Sequence, residues 1–338
     1  MQKFYAVKNQ NDFVRLNSSS GGVFYELANY VIEKHGIVYG AAYDEHNHVN
    51  HIRVEKKCDL DKLFGSKYTE SNLGKCFEQI KKDLLENKYV LFSGTPCQVS
   101  GIKSYTKNIN TDRLLLIDIV CHGVPEKKFY DEYINYMENK YQSKITKINM
   151  RYKDKILFEK NKKQEHIALN AVEPHVMMIQ YENGYNYIKE SDFDVFYQLF
   201  DLLIRKSCFK CPFASLNRSS DITIGDFHEF SSKLGKFNDG NGVSLVITNS
   251  DKGNLLLSKL KTKFVIIEKN SNECLQPAIT APAIKPKQYE LFREEYQAKG
   301  FEFVVNKYKK KGAKYSIKKI LYKLKLYKLI MRFKNKRK

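Results

Sequence analysis

The sequence predicts an α/β fold, with helices packed on the faces of a sheet. Three observations carry this. Short apolar runs alternate with stretches of helical periodicity through the first 143 residues. Two of those runs end in loops that carry glycine and proline, as strand ends do. Hydrophobic residues make up 42% of the 338 and aromatics 13%, which is enough for a sizeable core and excludes a disordered or fibrous chain.

The elements follow in order. Residues 18–22, SSSGG, read as a loop entering a helix. Within VFYELANYVIEKH, Phe24, Leu27, Ala28, Val31 and Ile32 recur at helical spacing and share one face. Ser18 to Ser20 supply N-cap candidates. Ile37 to Tyr43 is a short apolar strand. Residues 72–88 form a second helix, with Ile80, Leu84 and Leu85 inward. Tyr89 to Phe92 is a buried strand ending in the loop SGTPC. Leu114 to Val120 is another, ending in CHGVP, and residues 126–142 form a third helix. In such sheets ligands gather at the carboxyl ends of strands.

The second half has a different pattern. Residues 145–152 and 175–188 read as strands, and Asn183-Gly184 signals a two-residue hairpin. Residues 153–174 are polar and read as a loop. Ser191, with Asp194 three places on, resembles a capping box opening a helix whose apolar side holds Phe193, Phe196, Tyr197, Phe200, Leu203 and Ile204. CFKCPF, the strand DITIGDF, a glycine-rich loop near 235–242 and strands at 243–248 and 264–268 follow. We therefore divide the chain into an α/β part (1–143), a mixed α+β part with the C-x-x-C pair (144–306) and a basic tail (307–338).

The charge is concentrated. The chain has 58 Lys and Arg against 38 Asp and Glu, a net +20. Residues 304–338 hold 15 of the basic residues and no acidic one, so the other 43 leave the body at only +5. Total charge is thus no argument for nucleic-acid binding, and no recognition motif supports it. In the tail, Ile317, Ile320, Leu321, Leu324, Tyr327 and Met331 fall on one helical face, with lysines mostly off it. This describes a basic amphipathic helix suited to an anionic membrane surface, through residues 313–338. No run reaches the length of a membrane span, and MQKFYAVKNQ lacks the apolar core of a signal peptide. The expectation is a cytoplasmic protein, peripheral at the inner face of the membrane.

Seven cysteines without a signal peptide suit reduced thiols or metal ligands better than a disulfide scaffold. Cys208 and Cys211 form C-x-x-C, which presents two thiolates to one metal or cluster. Cys97 and Cys121 each follow an apolar strand. If those strands are neighbours, the four thiols match in number the donor set of a [4Fe–4S] cluster or of a structural Cys₄ zinc site, while spacing alone equally allows scattered core cysteines. Cys58, Cys76 and Cys274 read as packed or surface thiols. SSSGG before a helix suits a phosphate, although helix capping explains it equally well. No G-x-G-x-x-G is present, so a Rossmann fingerprint is not supported.

SSSGGVFYELA, FGSKYTES, VLFSGTPCQVSGI, LIDIVCHGVP and CFKCPFASLNRSSDITIGDF occur in this order. Together they resemble the coenzyme F420 hydrogenase/dehydrogenase beta-subunit family over residues 15–230. The resemblance implies a flavin-binding core carrying FAD beside a [4Fe–4S] cluster, with hydride exchanged between flavin and substrate. Carried over residue by residue, the cluster ligands are Cys97, Cys121, Cys208 and Cys211. The flavin contacts are Ser20, Gly21, Gly22, Lys67, Gly94, Thr95 and Pro96. Lys67 would stabilise anionic reduced flavin. His122, beside a ligand, would relay a proton. Both are the candidate catalytic groups. Asp118 and Asp226 read as loop caps at strand ends.

The chain departs from the family in two ways. It has no cysteine before Cys58, so a second cluster would belong to an external ferredoxin-like donor. His228 stands where relatives often carry Trp, which leaves the substrate open. Coenzyme F420 is an expected donor or acceptor only through the resemblance. Similarity of short members to proteins of surface-polysaccharide gene sets directs the substrate expectation to a modified sugar or lipid-linked glycan. The competing expectation is a zinc-stabilised transferase, or a membrane scaffold for polysaccharide assembly.

Overall fold

The structure is a computed structural model that describes residues 1–163, 175–228, 234–312, 315–317 and 320. Its centre is an eight-stranded mixed sheet. The strands are β1 (Lys3–Asn9), β2 (Ile37–Tyr43), β3 (Val49–Val54), β4 (Val90–Gly94), β5 (Leu114–Ile119), β9 (Ile222–Asp226), β10 (Ser244–Thr248) and β11 (Phe264–Lys269). Their order is β11-β1-β10-β9-β5-β4-β2-β3. A second sheet of three antiparallel strands joins β6 (Ile145–Asn149), β7 (Val176–Tyr181) and β8 (Asn186–Glu190). The large sheet takes strands from both sides of residue 144.

β2, β4, β5 and β9 run parallel to one another. Both of their faces are covered, which explains why they read as unbroken apolar runs. Successive side chains point to opposite faces. Val90 and Phe92 pack with Ile80, Val99 and Ile102 of helices α3 (Cys76–Leu85) and α4 (Pro96–Tyr105). Leu91 packs on the other face with Leu27 and Val31 of α2 (Val23–Glu33), beside Leu256 and Leu257 of α8 (Asp251–Lys259). α1 (Asp12–Asn17) lies between β1 and the serine loop.

The small sheet builds a second core with α5 (Lys127–Tyr141), α7 (Val195–Leu203) and α11 (Tyr289–Tyr308). Phe129, Tyr133, Ile179, Phe196 and Phe292 are buried there. Gly300, with φ of 79°, breaks α11 into two segments.

The structure corrects several expectations. α6 (Lys155–Lys163) occupies the first part of the expected loop 153–174, and 164–174 lie outside the described residues. α7 begins at Val195 rather than Ser191. Asp194 is its N-cap, because its carboxylate accepts from Tyr197 N–H and the preceding Ser191–Phe193 is a 3-10 turn. Buried Asp194 also accepts from the Tyr133 and Tyr187 hydroxyls. SGTPC is not a loop throughout. Pro96 opens α4, with Thr95 and Gln98 forming a capping box, so Cys97 rides on the first helical turn. A hairpin does join β7 and β8, but its loop has three residues rather than two: Tyr181 N–H donates to the Tyr185 carbonyl, Gly184 N–H donates to the Tyr181 carbonyl, and only Gly184, at φ of 82°, takes positive φ. Two short helices, α9 (Ser271–Cys274) and α10 (Pro277–Thr280), follow β11. Of the expected basic helix, Leu321, Leu324, Tyr327 and Met331 lie outside the described residues.

Candidate functional site

Because β4, β5 and β9 are parallel neighbours, their carboxyl ends share one edge of the sheet, with Gly94 opposite Asp118 and Asp118 opposite Thr223. Cys97 follows β4 and Cys121 follows β5, so strand order alone brings these two segments together. The turn Lys206–Lys210 after α7 carries Cys208, and Cys211 follows it. All four thiols line one cavity of about 30 Å³, together with Pro96, His122 and Arg205. None is in a disulfide. Burial pushes the Cys121 thiol up to about 12, and the other three sulfurs act in the same direction. Among the described residues, no group of three or more His, Cys, Asp or Glu side chains is arranged to hold a single metal ion.

A much larger cavity, about 1020 Å³, lies beside it. Cys97, Val124 and Arg205 line both. The larger one is walled by Ser18–Ser20 and Gly22, by Gly65–Ser71, and by the β4 end from Ser93 to Thr95. Of the expected flavin contacts, Ser20, Gly22, Lys67, Gly94 and Thr95 therefore line this cavity, and Pro96 lines the smaller one. Gly21 lines neither. It is clamped between β1 and β10: its carbonyl accepts from Asn9 N–H at 2.8 Å and its own N–H donates to Ser244 Oγ at 2.9 Å. A Cβ at Gly21 would press into the Val7 carbonyl and lie 2.7 Å from Ser244 N. Gly22 adopts φ of 83° as the N-cap of α2, a conformation that suits glycine. The α2 N-terminus thus sits beside the serine loop, where unpaired N–H groups favour an anion.

The charges around this loop were not legible as a set. Arg151 is buried. It donates to both Asp226 carboxylate oxygens at 2.6 and 3.3 Å, to Tyr68 Oη at 3.1 Å and to the Ser19 carbonyl at 3.0 Å. Burial opposes ionisation of Asp226, but Arg151 overcomes it and holds the carboxyl at about 2. Lys153 Nζ donates to the carbonyls of Arg15 and Ser20 at 2.8 and 2.7 Å. Its burial, with Arg15 and Arg151 near, holds its pKa well below the usual lysine range. Lys67 is half-buried and burial pushes it down to about 7. Its Nζ donates to the Phe64 carbonyl at 2.9 Å. His51 bridges the Ser71 hydroxyl and the Ser93 carbonyl, and burial lowers it to about 4. His122 lines the smaller cavity and is solvent-exposed, with Nε2 3.1 Å from Asp201 Oδ1.

A family model described as the C terminus of the coenzyme F420 hydrogenase/dehydrogenase beta subunit matches residues 87–273. The chain belongs to this family. The matched span contains all four clustered cysteines and the whole parallel centre of the sheet except β2. The family comprises hydrogenase and dehydrogenase subunits, which places the protein among oxidoreductase-related chains. It shares its fold with a chain of the xenon-derivatised F420-reducing [NiFe] hydrogenase complex from Methanosarcina barkeri. That match has a TM-score of 0.51 at 15% identity and covers 88% of each chain. No curated protein matches the sequence. Among the described residues, no helix is long and apolar enough to cross a membrane.

The other side of β5 holds an unexpected pair. The Asp118 and Arg218 side chains are each 1% exposed and lie 3.5 Å apart. Their carboxylate and guanidinium atoms have no hydrogen-bond partner of normal geometry. Burial raises the Asp118 carboxyl, and Arg218 acts against it. Asp118 is therefore a buried ion-pair partner rather than a loop cap, and Asp226 is the anchor of Arg151.

Proposed function

We propose that this chain is an iron–sulfur flavoprotein oxidoreductase that passes electrons between a [4Fe–4S] cluster on Cys97, Cys121, Cys208 and Cys211 and FAD in the larger cavity. One observation carries the reading: four thiols from three separate segments surround one small cavity that shares a wall with a cavity of about 1020 Å³. Four thiolates are the donor set of a cubane cluster, whose corners spread wider than the coordination sphere of one ion. The larger cavity, with its phosphate-suited loop and helix end, is of cofactor size.

When bound, the cluster would supply one-electron steps and the flavin hydride exchange. The chain's own residues have separate tasks. The Gly22 turn and the α2 N-terminus hold a phosphate. Lys67, poised near neutrality, offers its proton and charge to an anionic flavin. Arg151 and Lys153 fix the serine loop from behind. His122, on Asp201, can move a proton at the smaller cavity. An external ferredoxin-like protein or a reduced deazaflavin such as coenzyme F420 would deliver the electrons. A modified sugar or lipid-linked glycan precursor is the substrate class, met at a membrane surface held by residues 313–338 of a cytoplasmic protein.

Anaerobic purification, an absorption spectrum and iron, zinc and flavin analysis of one sample test this. About four irons and one FAD per chain are expected. A colourless protein with zinc and no flavin, after reconstitution with iron, sulfide and FAD, overturns it.

A further inference from the structure

The two cavities meet at a charged side chain. Arg205 lines both of them. On the side of the larger cavity it donates to Glu70 Oε1 at 2.9 Å. On the other side the Cys208 N–H donates to the Arg205 carbonyl at 2.9 Å, so one tight turn carries guanidinium and thiol. Burial disfavours the Arg205 cation, while Glu70, Cys208 and Cys97 favour it. Its Nε is buried without a hydrogen-bond partner. Among the described residues its one carboxylate partner is a partly exposed Glu70, so the arginine is incompletely neutralised.

We propose that Arg205, paired with Glu70 on the shared wall and carried on the same tight turn as Cys208, sets the reduction potential of the group bound by the four cysteines, and that Glu70 attenuates it. The inference rests on the cluster reading above. Reduction adds an electron to a centre already made negative by four thiolates. A cation beside a ligand sulfur favours the reduced form, and a carboxylate beside that cation cancels part of the effect. Arg205 is a positioning and tuning residue here, because it acts through the sulfur.

The experiment is a spectroelectrochemical titration of the reconstituted full-length protein and of Arg205→Gln, Arg205→Lys and Glu70→Gln. Arg205→Gln is expected to shift the reduction equilibrium about tenfold toward the oxidised form, which is about 59 mV for one electron. Glu70→Gln shifts it about threefold the other way, and Arg205→Lys stays near the native value because the charge remains. A purely structural arginine would lower cluster occupancy without moving the two potentials in opposite directions. Native protein that holds a cluster, with both Gln variants unshifted or shifted the same way, overturns the inference and leaves the function standing. Native protein that takes up no cluster overturns both. Should Arg205→Gln fail to load, Glu70→Gln decides: a rise supports the inference, and an unchanged potential overturns it.

Discussion

Arg151→Met probes the electrostatic frame behind the larger cavity. The Arg151 side chain is 8% exposed and its partner Asp226 is 17% exposed, so solvent screens the pair little. Removing one member of a buried pair strands the other charge, at a cost of about 3–5 kcal/mol. The bonds to Tyr68 and to the Ser19 carbonyl go with it. At roughly 2 °C per kcal/mol for a chain this large, Tm should fall by about 6–10 °C. The pH dependence gives the diagnostic sign. In the native protein Asp226 sits at about 2, below the unfolded carboxyl near ~3.9. Its contribution to stability is therefore complete above about pH 4 and is lost as pH falls through about 2. Without Arg151, burial is opposed only by His175 and the Ser20 side chain and the Asp226 pKa rises, so protonation relieves the variant as acid is added. Urea unfolding at about pH 7 and pH 4.5 should show the gap between the two proteins narrowing. A gap below about 1 kcal/mol at neutral pH, or one that widens in acid, refutes the reasoning. Adding Asp226→Asn to the variant should recover part of the loss, since no charge is then stranded.

Four further outcomes follow from the geometry. Serine at Cys97, Cys121, Cys208 or Cys211 should abolish stoichiometric iron binding by elemental analysis, whereas Cys58→Ser, at an exposed thiol, should leave iron unchanged. Gly21→Ala should weaken flavin binding at least ~10-fold by fluorescence titration, because the new Cβ presses on β1 and β10 and displaces the serine loop; unaltered affinity would refute the clamp. Lys67→Met should lower flavin affinity by ~10-fold or more while Tm at neutral pH holds or rises, since burial disfavours that cation; parallel losses of both would contradict it. Arg218→Met should destabilise the fold by about 3–5 kcal/mol in urea, and Arg218→Met with Asp118→Leu should restore most of that, because an ion pair without hydrogen bonds stabilises little; a double variant no better than the single would exclude this account.

The parallel centre was readable because strands covered on both faces must be apolar throughout, as Val90–Phe92 and Leu114–Ile117 are. The helix from Pro96 has little sequence signal, because PCQVSGIKSY carries a glycine, two serines and only three buried residues. β3, VNHIRV, is a half-exposed edge strand whose polar residues hide its register. Asp194 follows Ser191 at capping-box spacing but caps α7 itself and binds two tyrosine hydroxyls, a double role that spacing alone does not reveal. Cys97 and Cys121 could be grouped from their strand-end positions and Cys208 with Cys211 from the C-x-x-C spacing, and the structure lines one cavity with all four. Arg151, Asp226 and Ser19 could not be grouped. They converge from positions up to 207 residues apart through sheet order, and a lone arginine after a short strand, NMRYK, carries no local signal of a partner.

The wall of the small cavity has a consequence for assembly. Its thiols are contributed from positions 97, 121 and 208–211, so whatever they bind closes chain loops of 24 and 87 residues. Such a closure is a staple that the unfolded chain cannot form, because the three segments meet only after β4 and β5 have paired and α7 has docked. On the proposed reading, loading would follow assembly of that edge, and loss of the group would release both chain closures together. Resistance to proteolysis would track occupancy of the four thiolates, making turnover of the polypeptide sensitive to the same oxidants that attack the bound group.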